Sequence, residues 1–275
     1  MAAITVKPVA GALGAEIEGV DIGMGLDVET VALVRQALLD HLVIFFHDQE
    51  ISSDSFMAFA RAFGEPAQYP LLPGIEGYPL ITEIAKLEHE RNNFGGIWHA
   101  DTTYLERPPM GSMLYALEVP DLCGLTLGDT EFASAAAAWD ALPEPLRRKL
   151  DGRRAVFDFT GRKRAFPPTQ DEIDRNPPVR HPIVRTHPHT GRKCLYVMRD
   201  DCTGIEGVAA EEAEALIAAL ADHIVKPEFV YRHQWRPGDL LMWDNCTVQH
   251  RAIQDYDLPQ RRLMHRTTMG GEVPA

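Results

Sequence analysis

Apolar runs of strand character lie at both ends of this chain with helical periodicity between them, and that arrangement restricts the fold more than any other feature. Residues 3–22, "AITVKPVAGALGAEIEGVDI", alternate apolar and polar positions around glycines, which predicts two short strands and a turn. "DVETVALVRQALLDHL" (27–42) repeats apolar residues at helical spacing with Asp27 as N-cap, and "VIFFH" (43–47) reads as a buried strand. "SSDSFMAFARAFGEP" (52–66) predicts a second helix closed by Gly64 and Pro66. Helical signal returns over 133–152 and 209–224. "PIVRTHPHTGRKCLYVM" (182–198) predicts a hairpin turning at His-Thr-Gly. "FVYRHQWRPGDLLMWDNCTVQHRAI" predicts strands with turns at Arg-Pro-Gly-Asp and Asp-Asn. No internal repeat or strong linker interrupts the pattern, so the expectation is one α+β domain over 1–275.

One segment breaks the pattern. "TGRKRAFPPTQDEIDRNPPVRHP" (160–182) is rich in proline and charge and too long for an ordinary connection. It reads as a disordered insert or as a lid over a site. The lid reading puts Phe166 and the basic run Arg162–Arg164 near the opening; a mobile surface loop is the alternative.

Charge narrows the partners. The chain carries 27 basic and 40 acidic residues, a net of −13, so it gains nothing from a phosphate backbone. Nucleic acid and anionic membrane are therefore not expected partners. No apolar stretch reaches the roughly 20 residues a membrane helix needs, and "MAAITVKPVAGALG" lacks the pattern of a signal peptide. Cys123, Cys194, Cys202 and Cys246 are scattered with no CxxC pair, which predicts free thiols in a reducing cytoplasm. With 275 residues, 45% of them apolar, the chain has material for one large core and needs no disulfide staples.

The chemistry starts at "GGIWHADTTY" (95–104), which sets His99 and Asp101 two apart. On a strand, or at its end, residues i and i+2 face the same way. Two histidines and a carboxylate suit a divalent transition metal and leave positions open for substrate and oxygen. A histidine hydrogen-bonded to an acid is the plainer reading of the same triplet. The metal reading needs a third ligand, and His250, in the turn-and-strand run after "GDLLMWDNCTVQ", is the best candidate. His187 and His189 flank a proline in "THPHT" and are expected in a solvated turn. His41 and His47 border the first buried strand and read as core or surface residues. Arg262 and Arg266, four apart, share one face of a strand, with His265 opposite. Such a pair of fixed guanidiniums would bind carboxylates or related anions, surface arginines being the alternative.

Taken together, "WHADTTY", "GDT" (128–130), "WDNCTVQH" and "LPQRRLMHR" resemble the taurine dioxygenase and aryloxyalkanoate dioxygenase family of non-haem iron(II), 2-oxoglutarate-dependent oxygenases. The resemblance runs in order from "HLVIFFHDQ" and "FARAFGEP" to Arg266. It implies a double-stranded β-helix, or jelly roll, with helices packed outside. It implies iron(II) held by His99, Asp101 and His250, with 2-oxoglutarate and O2 as co-substrates. The distal carboxylate of 2-oxoglutarate would meet Arg262 and the Thr130 hydroxyl, and Arg266 would meet the acidic group of the primary substrate. The implied reaction hydroxylates a C–H bond and gives succinate and CO2. Where the carbon bears sulfur, oxygen or nitrogen, the product collapses and releases that group. A carboxylate at Asp101 argues against halogenation. Relatives of this kind commonly form dimers or tetramers.

Several positions depart from the family pattern. "PDLCGLTLGDT" (120–130) is about four residues longer than the usual link, which leaves Thr126 as a fallback for Thr130. Cys246 stands where arginine is usual. In the substrate pocket, Tyr69 replaces a histidine, Leu72 a tyrosine and Gly95 an asparagine. The pocket is thereby less polar than a taurine site, and an aliphatic or aromatic acid is the expected substrate. Two other function classes remain at this point: a zinc-dependent hydrolase using the same ligands, and a non-catalytic jelly-roll binding protein.

Overall fold

A computed structural model of the protein describes residues 3–70, 72–91, 95–162, 167–257 and 259–275. Its centre is a mixed α/β assembly in which a large sheet faces a small one. The large sheet runs in the order Thr5–Pro8, Ala15–Glu18, Val43–Phe46, Leu240–Asp244, Gly111–Glu118, Arg262–Met269, Tyr78–Lys86 and Gly74–Ile75. Pro66–Ala67 adds to the far end of Arg262–Met269. Every pairing is antiparallel except Ala15–Glu18 with Val43–Phe46. The small sheet is Val230–His233, Thr130–Ser134 and Val248–Ala252.

Strand alternation sorts the central side chains onto two faces. Ile44, Phe46, Leu240, Met242 and Met113 pack against the helices Val28–His41 and Ser53–Phe63 through Val34, Leu38, Phe56 and Phe59. Their neighbours Val43, Phe45, Leu241, Trp243 and Leu114 point the other way, onto Phe132 and Val248 of the small sheet. Both faces are covered, which is why "VIFF" and "LLMW" are continuously apolar rather than alternating. Asp27 accepts the Thr30 amide at 2.7 Å and Ser52 the Ser55 amide at 3.1 Å, so both helices begin where their capping residues predict. A third core, built around Trp139, Leu195, Tyr196, Ile217 and Leu220, joins the helix Ala210–Ile224 to the rest.

Two expectations change. Residues 133–152 are not one helix: Ala133 and Ser134 finish a strand, and two short helices follow, Ala135–Asp140 and Glu144–Leu150. Ser134 caps the first through the Ala137 amide at 3.1 Å, and Pro143, which has no N–H to donate, separates the two. Nor are the described residues of 160–182 without regular structure. Thr169 and Glu172 form a reciprocal capping box that starts the helix Gln170–Arg175, and Val179–Pro182 pairs with Arg154–Phe157. Arg164 and Phe166 lie outside the described residues. No helix among the described residues is long and apolar enough to cross a membrane. The four cysteines are unpaired, with Cys123 exposed and the other three buried.

Candidate metal centre

His99 and His250 are brought together by backbone pairing. The His99 amide donates to the His250 carbonyl at 3.0 Å, and the His250 amide returns a bond to the His99 carbonyl at 2.8 Å. Residues that exchange both bonds in an antiparallel bridge present their side chains on the same face, and these two rings sit 4.2 Å apart. His250 closes the three-stranded small sheet opposite Phe132. His99 is an isolated bridge rather than part of a strand, so Asp101 does not reach the site by strand alternation. It arrives through a turn in which Thr102 adopts φ 41°, a left-handed conformation that costs a β-branched residue about 1–3 kcal/mol. Asn245 holds that turn: its Oδ1 accepts the Asp101 amide at 2.7 Å, and its Nδ2 donates to the Asp101 and Pro109 carbonyls at 3.3 and 2.9 Å.

The result is three buried donors in one cluster. Asp101 Oδ1 lies 3.9 Å from His99 Nε2 and 3.7 Å from His250 Nε2. Its other oxygen, Oδ2, is already committed to Ser112 Oγ and Arg266 Nη2, both at 2.7 Å. One carboxylate oxygen is therefore left for a cation, so a bound metal keeps more of its coordination sphere open. His99 Nδ1 donates to the Ile97 carbonyl at 2.7 Å, which leaves the Nε2 lone pair facing the cluster. Burial pushes His99 down to about 4, with the Arg162 charge acting in the same direction. Burial and the neighbouring His99 also hold His250 well below its ordinary value. Burial raises Asp101, but Arg266 and the two imidazoles outweigh it and keep the carboxyl ionised. Two neutral imidazoles and one carboxylate are the donor set of an open divalent iron site, and the geometry fits it.

These depressed imidazoles, with buried His233, set an acid limit for the metal-free protein. Below about pH 6.5 the unfolded chain binds protons that the folded one refuses. The stabilisation is complete above that pH and is lost as pH falls toward 4, at up to about 1.4 kcal/mol per pH unit for each group. Thermal melting with chelator present is expected to show a lower midpoint at pH 5 than at pH 7.5. A flat profile would contradict the neutral, buried state assigned to these rings.

The cavity beside the triad is lined by Gly95, Thr130, Arg262 and Arg266, together with Ile84, Leu114, Phe132 and Trp243. Arg262, Met264 and Arg266 alternate inward along Arg262–Met269, while His265 points outward. Arg262 is only 6% exposed, and its Nε has no hydrogen-bond partner among the described residues. Burial lowers its pKa, and Tyr256 and Asp129 offset this only in part; no ion pair to Arg262 is found among the described residues. Gly128 makes room for it: a Cβ there would stand 2.7 Å from the Tyr256 ring and 3.3 Å from Arg262 Cδ. Thr126 does not line the cavity. It sits on the hairpin Asp121–Leu122/Leu125–Thr126, which absorbs the extra length of the link.

The expected substrate residues divide. Arg266 lies over the Tyr69 ring at 4.6 Å and also binds Asp101, so it joins the metal turn to Tyr69, which does not itself line the triad cavity. Gly95, at φ 80°, would bring a Cβ within 3.5 Å of His99 Cε1. Leu72 lines a neighbouring surface hollow with Tyr69 and Pro70, not the triad cavity. Arg162 forks onto Asp201 at 2.8 and 2.6 Å, and Asp201 is held by Thr103 Oγ1 at 2.6 Å, two residues beyond Asp101.

His187 corrects an expectation. It is 2% exposed rather than solvated, and only His189 faces out. With Asp244 and Cys246 it forms a second group of close donor atoms. Its Nδ1 accepts the His189 and Thr190 amides at 3.2 and 3.1 Å, so the ring proton sits on Nε2, 3.3 Å from Asp244. With both nitrogens occupied, this cluster is a structural staple of the turn that presents Asn245, not a metal site.

Residues 5–268 match the family model described as "Taurine catabolism dioxygenase TauD, TfdA family". The chain belongs to this family. It is 35% identical to the alpha-ketoglutarate-dependent sulfate ester dioxygenase of Pseudomonas putida, with 98% of this chain and 91% of the relative covered. It is 34% identical to the alpha-ketoglutarate-dependent 2,4-dichlorophenoxyacetate dioxygenase of Cupriavidus pinatubonensis, with 96% and 97% covered. A crystal structure of a taurine dioxygenase from Burkholderia xenovorans superposes with a TM-score of 0.85 at 36% identity, over 99% of this chain and 92% of that one.

Proposed function

We propose that this protein is an iron(II)- and 2-oxoglutarate-dependent dioxygenase that hydroxylates a small organic anion and yields succinate and CO2. One observation carries the reading: a His/Asp/His donor set shares a cavity with a buried guanidinium, Arg262, that forms no ion pair among the described residues and whose Nε has no hydrogen-bond partner there. Neither the zinc-hydrolase nor the binding-protein alternative fits a family whose relatives are named as oxygenases. The facing sheets are read as the double-stranded β-helix core, and 1–275 as a single working domain.

His99, Asp101 and His250 hold the iron. Iron(II), when bound, supplies the activation of dioxygen, driven by decarboxylation of 2-oxoglutarate. Arg262 and Thr130 take the distal carboxylate of 2-oxoglutarate. Arg266, with Tyr69 beneath it, fixes the acidic group of the substrate so that one carbon faces the metal. Gly95 leaves space beside His99, and Leu72 borders the approach. Ile84, Leu114 and Phe132 give the cavity apolar walls. Substrates are carboxylates, sulfonates or sulfate esters, with release of the heteroatom group where the hydroxylated carbon bears one. Sulfate esters head the order of trial because two relatives, at 35% and 33% identity, are named for them. Segment 160–182 is read as a lid, because Arg162 ties its start to the metal turn. Limited proteolysis tests this, and cleavage unchanged by 2-oxoglutarate and substrate counts against it. The free thiols support a reducing cytoplasm, and light scattering is expected to show a dimer or tetramer rather than a monomer.

The central test is anaerobic. Iron(II) and 2-oxoglutarate together are expected to give a weak visible charge-transfer band that neither gives alone. No band at saturating concentrations would overturn the reading. In air, succinate release is expected to rise with anionic candidates. Stimulation by amines or neutral compounds alone would remove Arg266 from its role.

A further inference from the structure

Thr130 and Arg262 belong to different sheets, and a single side chain touches both. Trp235 lies in the link between Val230–His233 and Leu240–Asp244 and is fully buried. Its indole Nε1–H donates to Thr130 Oγ1 at 2.9 Å, and the Arg262 guanidinium carbon stands 5.8 Å from its ring centre. The indole is itself held from behind. His233 meets it edge to face at 4.6 Å, and Asp239 fixes His233 Nε2 at 3.1 Å, His47 Nδ1 at 2.5 Å and the Arg236 amide at 2.9 Å.

A threonine hydroxyl has one proton and two lone pairs, whereas indole N–H can only donate. Once the indole occupies a lone pair on Thr130, the hydroxyl proton cannot point back at Trp235 and must turn elsewhere. Thr130 Oγ1 donates to no group among the described residues, and Thr130 and Arg262 line the same cavity, so an anion placed there would be its acceptor. We propose that Trp235 is a positioning residue for the distal carboxylate of 2-oxoglutarate. It sets the Thr130 hydroxyl as a donor and steadies the Arg262 guanidinium against its ring. The inference rests on the 2-oxoglutarate reading above. The alternative is that Trp235 only fills the core between the two sheets.

Trp235→Phe separates the two, because it keeps an aromatic ring and deletes the N–H. The measurement is the 2-oxoglutarate dissociation constant of iron(II)-loaded protein under anaerobic conditions, taken in a cycle with Thr130→Val. Trp235→Phe is expected to weaken binding about tenfold when Thr130 is present and by less than about twofold in the Thr130→Val background. Equal losses in both backgrounds, or no loss in either, would overturn the proposal and leave Trp235 as packing. Should the variant not fold, the unaltered protein answers. In zinc-loaded, 15N-indole-labelled protein, the Trp235 N–H resonance, assigned by substituting the other three tryptophans in turn, is expected to shift on adding 2-oxoglutarate. The shift should vanish in Thr130→Val, and its absence in the unaltered protein sinks the inference. If the unaltered protein gives no 2-oxoglutarate signal at all, the functional reading has failed and this inference falls with it. A normal wild-type signal with additive losses rejects the inference alone.

Discussion

Asp101→Ala is expected to lower iron(II)-dependent succinate formation by about a thousandfold or more, equivalent to roughly 4 kcal/mol of transition-state stabilisation. The carboxylate does two things with its two oxygens. Oδ1 completes the donor triangle with His99 and His250, and Oδ2 neutralises Arg266. Alanine removes both and strands a guanidinium that is 4% exposed. Breaking one side of a buried pair costs about 3–5 kcal/mol, so the metal-free variant should also melt earlier than the parent. Asp101→Asn preserves the volume but offers Arg266 or the metal an amide in place of a charge, and is expected to fail in turnover as well. Asp101→Glu keeps the charge and should hold iron better than either, with its carboxylate displaced by one methylene. Iron retained after dialysis, turnover and melting temperature together check the argument. Asp101→Ala protein that keeps a tenth of the parent turnover would exclude this carboxylate as a ligand.

The parts of the fold set by local rules were legible in the sequence. Asp27 and Ser52 cap helices because their side chains satisfy amides within the same turn, and that spacing is visible in one dimension. The runs at 43–46 and 240–244 are apolar throughout because helices cover one face and the small sheet the other. Arg262 and Arg266 could be placed on one face because strand alternation is rigid. The site was less legible, and for a different reason. His99 and His250 are cross-strand partners about 150 positions apart, and nothing near His99 signals a strand, since only a single bridge forms there. The setting of His250 after "GDLLMWDNCTVQ" made it the best candidate for a third ligand, and the family resemblance then implied the full triad. Asn245, Ser112 and Trp235 went unassigned because each acts through another residue. Asn245 clamps a backbone, Ser112 holds the second oxygen of Asp101, and Trp235 orients a hydroxyl. No local pattern marks such roles, although Asn245 sits inside the quoted "WDNCTVQH". His187 was misread because a turn between strands usually faces water. Here the turn folds inward, and two of its own amides fix the ring.

Arg262→Met is expected to move affinity and stability in opposite directions. The guanidinium is buried, lacks an anion among the protein's described residues, and is pulled below its ordinary pKa by that burial. Asp129 and Tyr256 offset its burial only in part, and it stands at the position proposed above for the distal carboxylate of 2-oxoglutarate. Methionine fills much of the same space beside Gly128 and Trp235 without a charge to desolvate. Replacing buried charge by apolar volume is often neutral or stabilising by about 1–4 kcal/mol, so the metal-free variant should melt at or above the parent temperature. The functional loss runs the other way. Removing one partner of a buried, hydrogen-bonded charge pair costs about 2–5 kcal/mol of binding, so the KM for 2-oxoglutarate should rise by about a hundredfold. Thr130→Val, which removes a neutral hydroxyl, should raise KM by about tenfold through the same carboxylate. Steady-state titration of 2-oxoglutarate at saturating substrate, paired with melting of the metal-free proteins, reads both quantities. A variant that melts well below the parent and leaves KM unchanged would show that Arg262 braces the fold, and the anchor for the distal carboxylate would have to be sought elsewhere in the cavity.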